Sequence, residues 1–501
     1  MTPKLKKGLL LLLAFVLLTG VYQVQNVLNV DREVLGLTRV QPLENAPPVL
    51  AFTTVALGGF RGLISNALWI RANDLQEDDK YFEMAQLADW ITKLEPHFVQ
   101  VWIVQAWNMA YNISVKFKDY PDRWRWVERG INLLRDDGLR YNPNETLLYR
   151  ELAWFFQHKM GQTLDDANMY YKQEWVNEMS TVFDKKEPNL DELIHPQTEN
   201  QKERARLLRE KYKMDPEFMK EVNGRYGPLE WRLPESHAIY WAALGLKKAQ
   251  ENPSKIKPDD LITLRRVIYQ SMLLSFQRGR LVVNPFIKKF EFGPNLEIVG
   301  KVSAAYEDAA KEDSANRDHI LTAHRNFLRD AVYFLYVHNR LSDAAVWYKY
   351  LGQHYPNKVL LEQLTNSYPA NLSLDEYAVS KVQEDVGDSM AMDRIRAIIE
   401  GLLVNGYSSM LLGEDQRAAG YGLLAEKVRE TYASKTSVRK DSIPMAPLED
   451  IKQDVVHRLL DPEQGMPPEM RAMLRTKLGY GPEPPRSETS TNAVPEKVSG
   501  P

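Results

Sequence analysis

The chain contains no cysteine. That absence excludes disulfide bridges, thiolate metal sites and cysteine nucleophiles together. It is compatible with an envelope protein that never relied on oxidative folding. Net charge is small as well. The 64 Lys and Arg stand against 67 Asp and Glu, which leaves −3 at pH 7. No global field therefore draws the chain to nucleic acid or to an anionic surface. Strand-like alternation is scarce. The one candidate is Phe290-Glu291-Phe292 followed by Leu296-Glu297-Ile298-Val299, which predicts a small hairpin around Gly293-Pro294. Catalytic signatures are missing too: there is no HExxH, no Gly-rich phosphate loop ending in Lys-Ser/Thr, no GxGxxG and no GxSxG elbow. His319 and His324 stand five apart, whereas two ligands on one helical face need a spacing of three or four. No cofactor, metal or catalytic residue is expected on these grounds.

What is present begins with size. The 501 residues are 44% hydrophobic and 26% charged, enough for a large core. Eleven Trp, 24 Tyr and 16 Phe are a heavy aromatic load. They are expected to fill the space between helices, with an aromatic-lined ligand groove as the alternative. Lys4, Lys6 and Lys7 precede an apolar run from Gly8 to Tyr22. This is the layout of a secretory signal or signal anchor. The run is short against the roughly 20 residues of a full span, and Val24, Val27 and Val30 extend it. Cleavage after Gly20 would put Leu18 at −3, a poor site, so residues 1–30 are expected to stay as a transmembrane anchor. The lysines place the N-terminus in the cytoplasm and the body outside it, in the periplasm. Residues 31–62 form a linker with a second apolar stretch, Pro48 to Phe60, expected to be the first packed helix of the body or an interfacial segment.

From Leu63 onward apolar residues recur at three and four, the helical period. Several helices also share a longer pattern. Met84, Ala88, Ile91 and Pro96 lie at offsets 0, 4, 7 and 12, as do Ile131, Arg135, Gly138 and Pro143, and Ala344, Tyr348, Leu351 and Pro356. Large–small–large triplets precede or follow them: Leu68, Ala72 and Leu75; Trp102, Ala106 and Met109; Tyr149, Ala153 and Phe156. A small residue lets two helices approach, large ones fill the groove beside it, and a proline stops the second helix. The pattern resembles the tetratricopeptide repeat, a helix–turn–helix unit of about 34 residues. Residues 63–180 resemble two to three tandem units and 325–357 one more, about a third of the chain. Arg135 and Glu362 break the consensus, and the second unit carries a long inter-helix loop, Lys116 to Asp122.

Residues 181–235 interrupt the pattern as a charged insertion in which Glu203 to Tyr212 is expected to be a solvated helix, with Trp231 pinning the loop that follows. A helical-repeat region is expected over 236–432, with helices over His237 to Ala249, Pro258 to Arg278, Leu374 to Leu403 and Gly420 to Tyr432. Short terminal helices follow over 433–480, and the apolar-poor tail 481–501 is expected to be disordered. The acidic runs Glu77-Asp78-Asp79 and Asp136-Asp137 are expected to be solvated helix ends. In DRWRWVERG the indoles are expected to pack and the arginines to face solvent or stack on them.

The expected fold is therefore all-α: an N-terminal transmembrane helix, then a tetratricopeptide-like solenoid of antiparallel helix pairs. What the resemblance implies is a partner-binding scaffold in an envelope complex, tethered to the membrane and taking protein partners in its groove rather than nucleic acid. The candidate groove residues are Asn108, Tyr111, Asn112 and Trp154, polar or amphipathic side chains on otherwise apolar helices. The alternative is an all-α carbohydrate-active or cell-wall enzyme, which needs only two well-placed carboxylates across an aromatic cleft.

Overall fold

The computed structural model describes residues 3–34, 61–183, 188–251, 258–283, 290–338, 340–361, 365–374, 376–378, 381, 392–411, 415–436 and 445–481. The expectations for Pro48 to Phe60 and for the tail beyond Gly481 lie outside them. The described chain is almost entirely helical, and it divides into two compact units, Met1–Pro96 and His97–Pro501.

The first unit contains α1 (Pro3–Val34), α2 (Arg61–Glu77) and α3 (Tyr81–Leu94). Among the described residues no helix is long and apolar enough to cross a membrane. Helices α2 and α3 form a hairpin. Asp79 turns the chain with φ 59°, a left-handed conformation that Asp tolerates better than most residues. Ala72, Leu75, Met84, Ala88 and Ile91 are buried in the hairpin, and Leu68 is half-buried. Glu95 N–H donates to Ile91 O as the last turn closes before Pro96.

The second unit opens with three helices that share an unusual shape. Helix α4 runs Val99–Trp107, continues as a π-helix over Asn108–Ile113 and ends in a 3-10 turn, Ser114–Lys116. Helix α5 runs Tyr120–Asn132, turns π over Leu133–Gly138 and resumes at Leu139–Tyr141. Helix α6 runs Thr146–Trp154 and turns π over Phe155–Gly161. The loop between α4 and α5 shrinks from the expected Lys116–Asp122 to residues 117–119. Asp119 caps α5 by accepting from Asp122 N–H at 3.2 Å, and Pro121 fits the first turn because its missing donor is not needed there. Gly130 marks the closest approach: a Cβ there would lie 2.9 Å from Ala106 O and 3.2 Å from the Phe155 ring. Trp102, Ala106, Met109, Tyr149, Ala153 and Phe156 are all buried. So is Arg135, whose guanidinium is held by Asp136 and Asn132 instead of leaving the helix interface.

Helix α7 (Asn168–Phe183) follows, then α8 (Leu190–Ile194), α9 (Glu199–Glu210) and α10 (Pro216–Tyr226). Helix α9 is solvated as its charge predicts. Thr198 and Gln201 form a capping box, and Arg206 pairs with Glu203 at 2.7 Å and Glu210 at 3.0 Å. The stretch is nevertheless joined to the same apolar core through Tyr212, Met214, Met219 and Val222. Trp231 is 1% exposed and anchors the loop before α11 (Pro234–Glu251). In DRWRWVERG, Arg129 lies over the Trp126 ring at 4.8 Å and Arg125 faces solvent. Arg123 departs from expectation: it turns inward to Asp165 and Asp166.

Helix α11 pairs with α12 (Pro258–Arg278) and packs on α6. A Cβ on Gly245 would stand 2.8 Å from Tyr149 Cβ and 3.0 Å from Leu264 Cδ2. The predicted hairpin is corrected. Strand β1 (Arg280–Val283) pairs antiparallel with β2 (Phe290–Gly293), matching Arg280 with Gly293 and Val283 with Phe290. Leu296–Ile298 is a 3-10 turn instead of a strand, because Asn295 accepts from Glu297 N–H and starts the following helix. That helix is α13 (Val299–Glu312); then come α14 (Arg317–Val337) and α15 (Leu341–His354), a pair in which Ala344 and Leu351 are buried and Tyr348 half-buried. The expected Leu374–Leu403 helix is found as α16 (Met392–Leu411), and much of 374–391 lies outside the described residues. Helices α17 (Asp415–Thr436), α18 (Leu448–Leu459) and α19 (Pro468–Lys477) complete the unit.

Candidate functional site

The four sequence-predicted residues lie where α4 and α6 depart from ideal helix. Asn108, Tyr111 and Asn112 are in the first π segment, and Trp154 immediately precedes the third. A π turn widens the helix by one residue and re-aims the side chains around it, and such turns concentrate at functional positions.

Two of the four meet across the helix pair. On α4, Trp107 and Tyr111 stack with ring centroids 4.3 Å apart. On α6, Trp154 and His158 stack at 4.6 Å and 12°. The Tyr111 hydroxyl and His158 Nδ1 share a hydrogen bond of 3.1 Å that joins the two stacks. All four rings are half-buried, and together they form a shelf. Asn108 and Asn112 do not add a ring to it: Asn112 Nδ2 donates to Asn108 Oδ1 at 3.4 Å within the π turn, and Asn108 is buried.

Charged groups support the shelf from beneath. Trp107 Nε1 donates to Glu151 Oε2 at 2.8 Å, and Arg150 pairs with the same carboxylate. Burial raises the Glu151 pKa, opposed by Arg150 and by the Trp107 hydrogen bond. Lys159 Nζ lies 4.9 Å from the Tyr111 ring centroid and pairs with Asp165 at 2.5 Å. Asp165 also receives Tyr171 Oη at 3.3 Å and Ala167 N–H at 2.9 Å, and it pairs with Arg123 at 3.5 Å. Burial pushes its carboxyl up, but these donors outweigh burial and hold it below the usual carboxylate range. Burial, then the nearby Lys159 charge, lowers the His158 pKa, so its ring is neutral at pH 7. Burial and Glu151 push the Tyr111 phenol upward, so it stays protonated.

The two carboxylates at this site are thus committed to cations and donors. The arrangement is a set of stacked, half-buried rings whose polar edges are largely taken: Trp107 Nε1 by Glu151, and the Tyr111 hydroxyl and His158 Nδ1 by each other. Trp107, Glu151, His158 and Lys159 were not singled out from the sequence. The signal for the rings was there: Trp107 with Tyr111, and Trp154 with His158, are both i,i+4 pairs, neighbours on a helix face. Elsewhere, His319 is exposed, while His324 is buried between Ser303 Oγ and Tyr355 Oη, both at 2.9 Å. Among the described residues, no group of three His, Asp or Glu side chains is placed to hold a metal ion. No protein-family model matches the chain, no curated protein matches it, and no solved structure matches its fold.

Proposed function

We propose that this protein is a membrane-tethered, extracytoplasmic scaffold whose tetratricopeptide-like helix pairs bind a protein partner at the Trp107–Tyr111–Trp154–His158 shelf. The observation that carries the reading is the shelf itself: four half-buried aromatic rings on two helices, braced by buried ion pairs. Rigid aromatic rings with a polar edge are the side chains that dominate binding energy where proteins meet. The repeat reading is supported by the burial of the small residues at its key offsets: Ala72, Ala88, Ala106, Ala153 and Ala344 are all 0% exposed. The tether is supported by α1, where Leu12, Leu13, Phe15, Val16, Leu17 and Val21 are each more than half exposed. A row of leucine and valine that no protein covers is stable in lipid and costly in water.

The test is co-purification of the full chain after mild detergent extraction, beside Trp154→Ala and Tyr111→Ala variants. A stable partner is expected with the native chain. Each alanine variant is expected to weaken its retention by about thirtyfold, the loss of a central aromatic anchor. Equal retention by the variants would remove the shelf from the interaction. A lone monomer that hydrolyses glycans would replace the scaffold with the enzyme reading.

A further inference from the structure

We infer that a cleft of about 810 Å³ at the C-terminal end of α5 binds a small organic anion with a flat or branched apolar body. The site is distinct from the aromatic shelf and does not depend on the partner reading. Its walls come from α5, from the end of α9 and from α11, and its volume lies within the roughly 300–1,000 Å³ of small-molecule sites.

The charge inside the cleft is unevenly committed. Arg135, with a side chain 4% exposed, uses Nε and Nη2 on Asp136 (2.7 and 2.8 Å) and Nη2 also on Asn132 (2.9 Å). Its Nη1 has no hydrogen-bond partner among the described residues. The planar fork is therefore pre-oriented with one edge unused. Arg140 lies 5.8 Å from the Tyr141 ring centroid, and among the described residues neither it nor Lys213 makes an ion pair. The backbone at Lys213 is left-handed, φ 54°, a conformation rare for lysine. By contrast Asp136 is occupied by Arg135, and Glu210 by Arg206 at 3.0 Å. The uncommitted charge lining the cleft is positive.

That sign selects an anion. Asp136, Asp137 and Glu210 also line the cleft and weaken the attraction, so the apolar wall has to contribute to binding. The apolar part of the ligand is set by Trp241, Leu139 and Leu244 beside Tyr149. The Tyr149 hydroxyl already donates to Pro143 O at 2.8 Å, so the tyrosine contributes its ring.

Ligand-observed saturation-transfer NMR on the full chain in detergent tests the inference, with phenylacetate as probe. Phenylacetamide removes the charge, and inorganic phosphate removes the apolar body and raises the charge. Saturable transfer to phenylacetate is expected, with affinity about tenfold lower for phenylacetamide and about tenfold lower for phenylacetate in the Arg140→Ala/Lys213→Ala double variant. Both substituted side chains are exposed, so the variant keeps its fold, and a near-native thermal transition verifies that. Trp154→Ala is expected to leave phenylacetate binding unchanged. Absence of saturable transfer, equal binding of the amide, displacement of phenylacetate by an equal concentration of inorganic phosphate, or an unaffected double variant would each overturn it.

Discussion

His237 has no exposed surface and lies against Phe156, Trp175 and Trp231, with its Nε2 2.8 Å from Trp231 O. Burial, opposed by that backbone bond, pushes its pKa down to about 4. His324 is 1% exposed, and burial takes it to about 4 as well. Both rings are neutral in the folded chain at pH 7, while in the unfolded chain they titrate near 6.5. Between those values the unfolded state binds more protons. Stability is therefore complete above about pH 6.5 and is lost as pH falls toward 4, by roughly 2 kcal/mol per histidine between pH 7 and 5. Urea unfolding of the native chain at the two pH values is expected to show this loss. His324→Gln, which can still bond to Ser303 and Tyr355, is expected to remove its own share, roughly 2 kcal/mol of that loss. An unchanged pH dependence in that variant would mean that His324 is not held neutral by burial.

Among elements, the packing of α4, α5 and α6 rests on glycine at one point. Alanine at an exposed helical glycine gains roughly 0.5–1 kcal/mol through backbone entropy. Gly224 in α10 meets nothing within 4 Å, and Gly224→Ala is expected to stabilise by that amount. Gly130→Ala carries the opposite sign. Its Cβ would press at 2.9 Å on the backbone oxygen of Ala106, which cannot swing aside as a side chain can, so a net loss of about 1–3 kcal/mol is expected in chemical denaturation. A stabilised Gly130→Ala would mean that α4 and α5 are less closely packed than 2.9 Å. The same contact shows which features the sequence exposed. Small residues at offsets of four are local signals, so Ala88, Ala106 and Ala153 could be placed on buried faces before any coordinates. The first helix pair, 234–251/258–278, followed from punctuation and apolar period as His237–Ala249 and Pro258–Arg278, and the pair 317–337/341–354 from the offset pattern of Ala344, Tyr348, Leu351 and Pro356, read over 325–357. The π turns did not, because Asn108–Ile113 and Phe155–Gly161 contain ordinary helix formers, and their extra residue per turn is selected by packing. That is why Tyr111 and Trp154 were named without His158, the residue that links them. Strand β1 was missed for a related reason: its partner is separated from it by residues 284–289, and four residues carry little period.

At the scale of the whole molecule, the N-terminal unit and the larger unit make separate contributions. Within His97–Pro501 a single apolar cluster runs from Trp102 to Val455, taking in the charged stretch through Tyr212, Met214 and Met219. The proposed tether is placed in α1. At 1.5 Å per residue, the 32 residues of α1 extend about 48 Å. Its apolar run from Gly8 to Tyr22 covers about 22 Å, and extension to Val30 about 34 Å, against a hydrocarbon thickness of about 30 Å. In the proposed span, Gln23, Gln25 and Asn26 fall in the last third, near the outer interface, where their cost is smallest. In the proposed orientation, Lys4, Lys6 and Lys7 hold the opposite end in the cytoplasm. Two measurements follow in intact cells and isolated membranes. The full chain is expected to resist alkaline carbonate extraction, whereas a chain lacking residues 1–30, targeted by a cleavable signal in its place, is expected to be released in soluble form. Protease added outside the cytoplasmic membrane is expected to degrade the body of the anchored chain and spare only a short N-terminal fragment. If the truncated chain still sediments with membranes, lipid attachment lies elsewhere in the sequence; if external protease leaves the body intact, the lysines do not set the orientation and the extracytoplasmic reading is wrong.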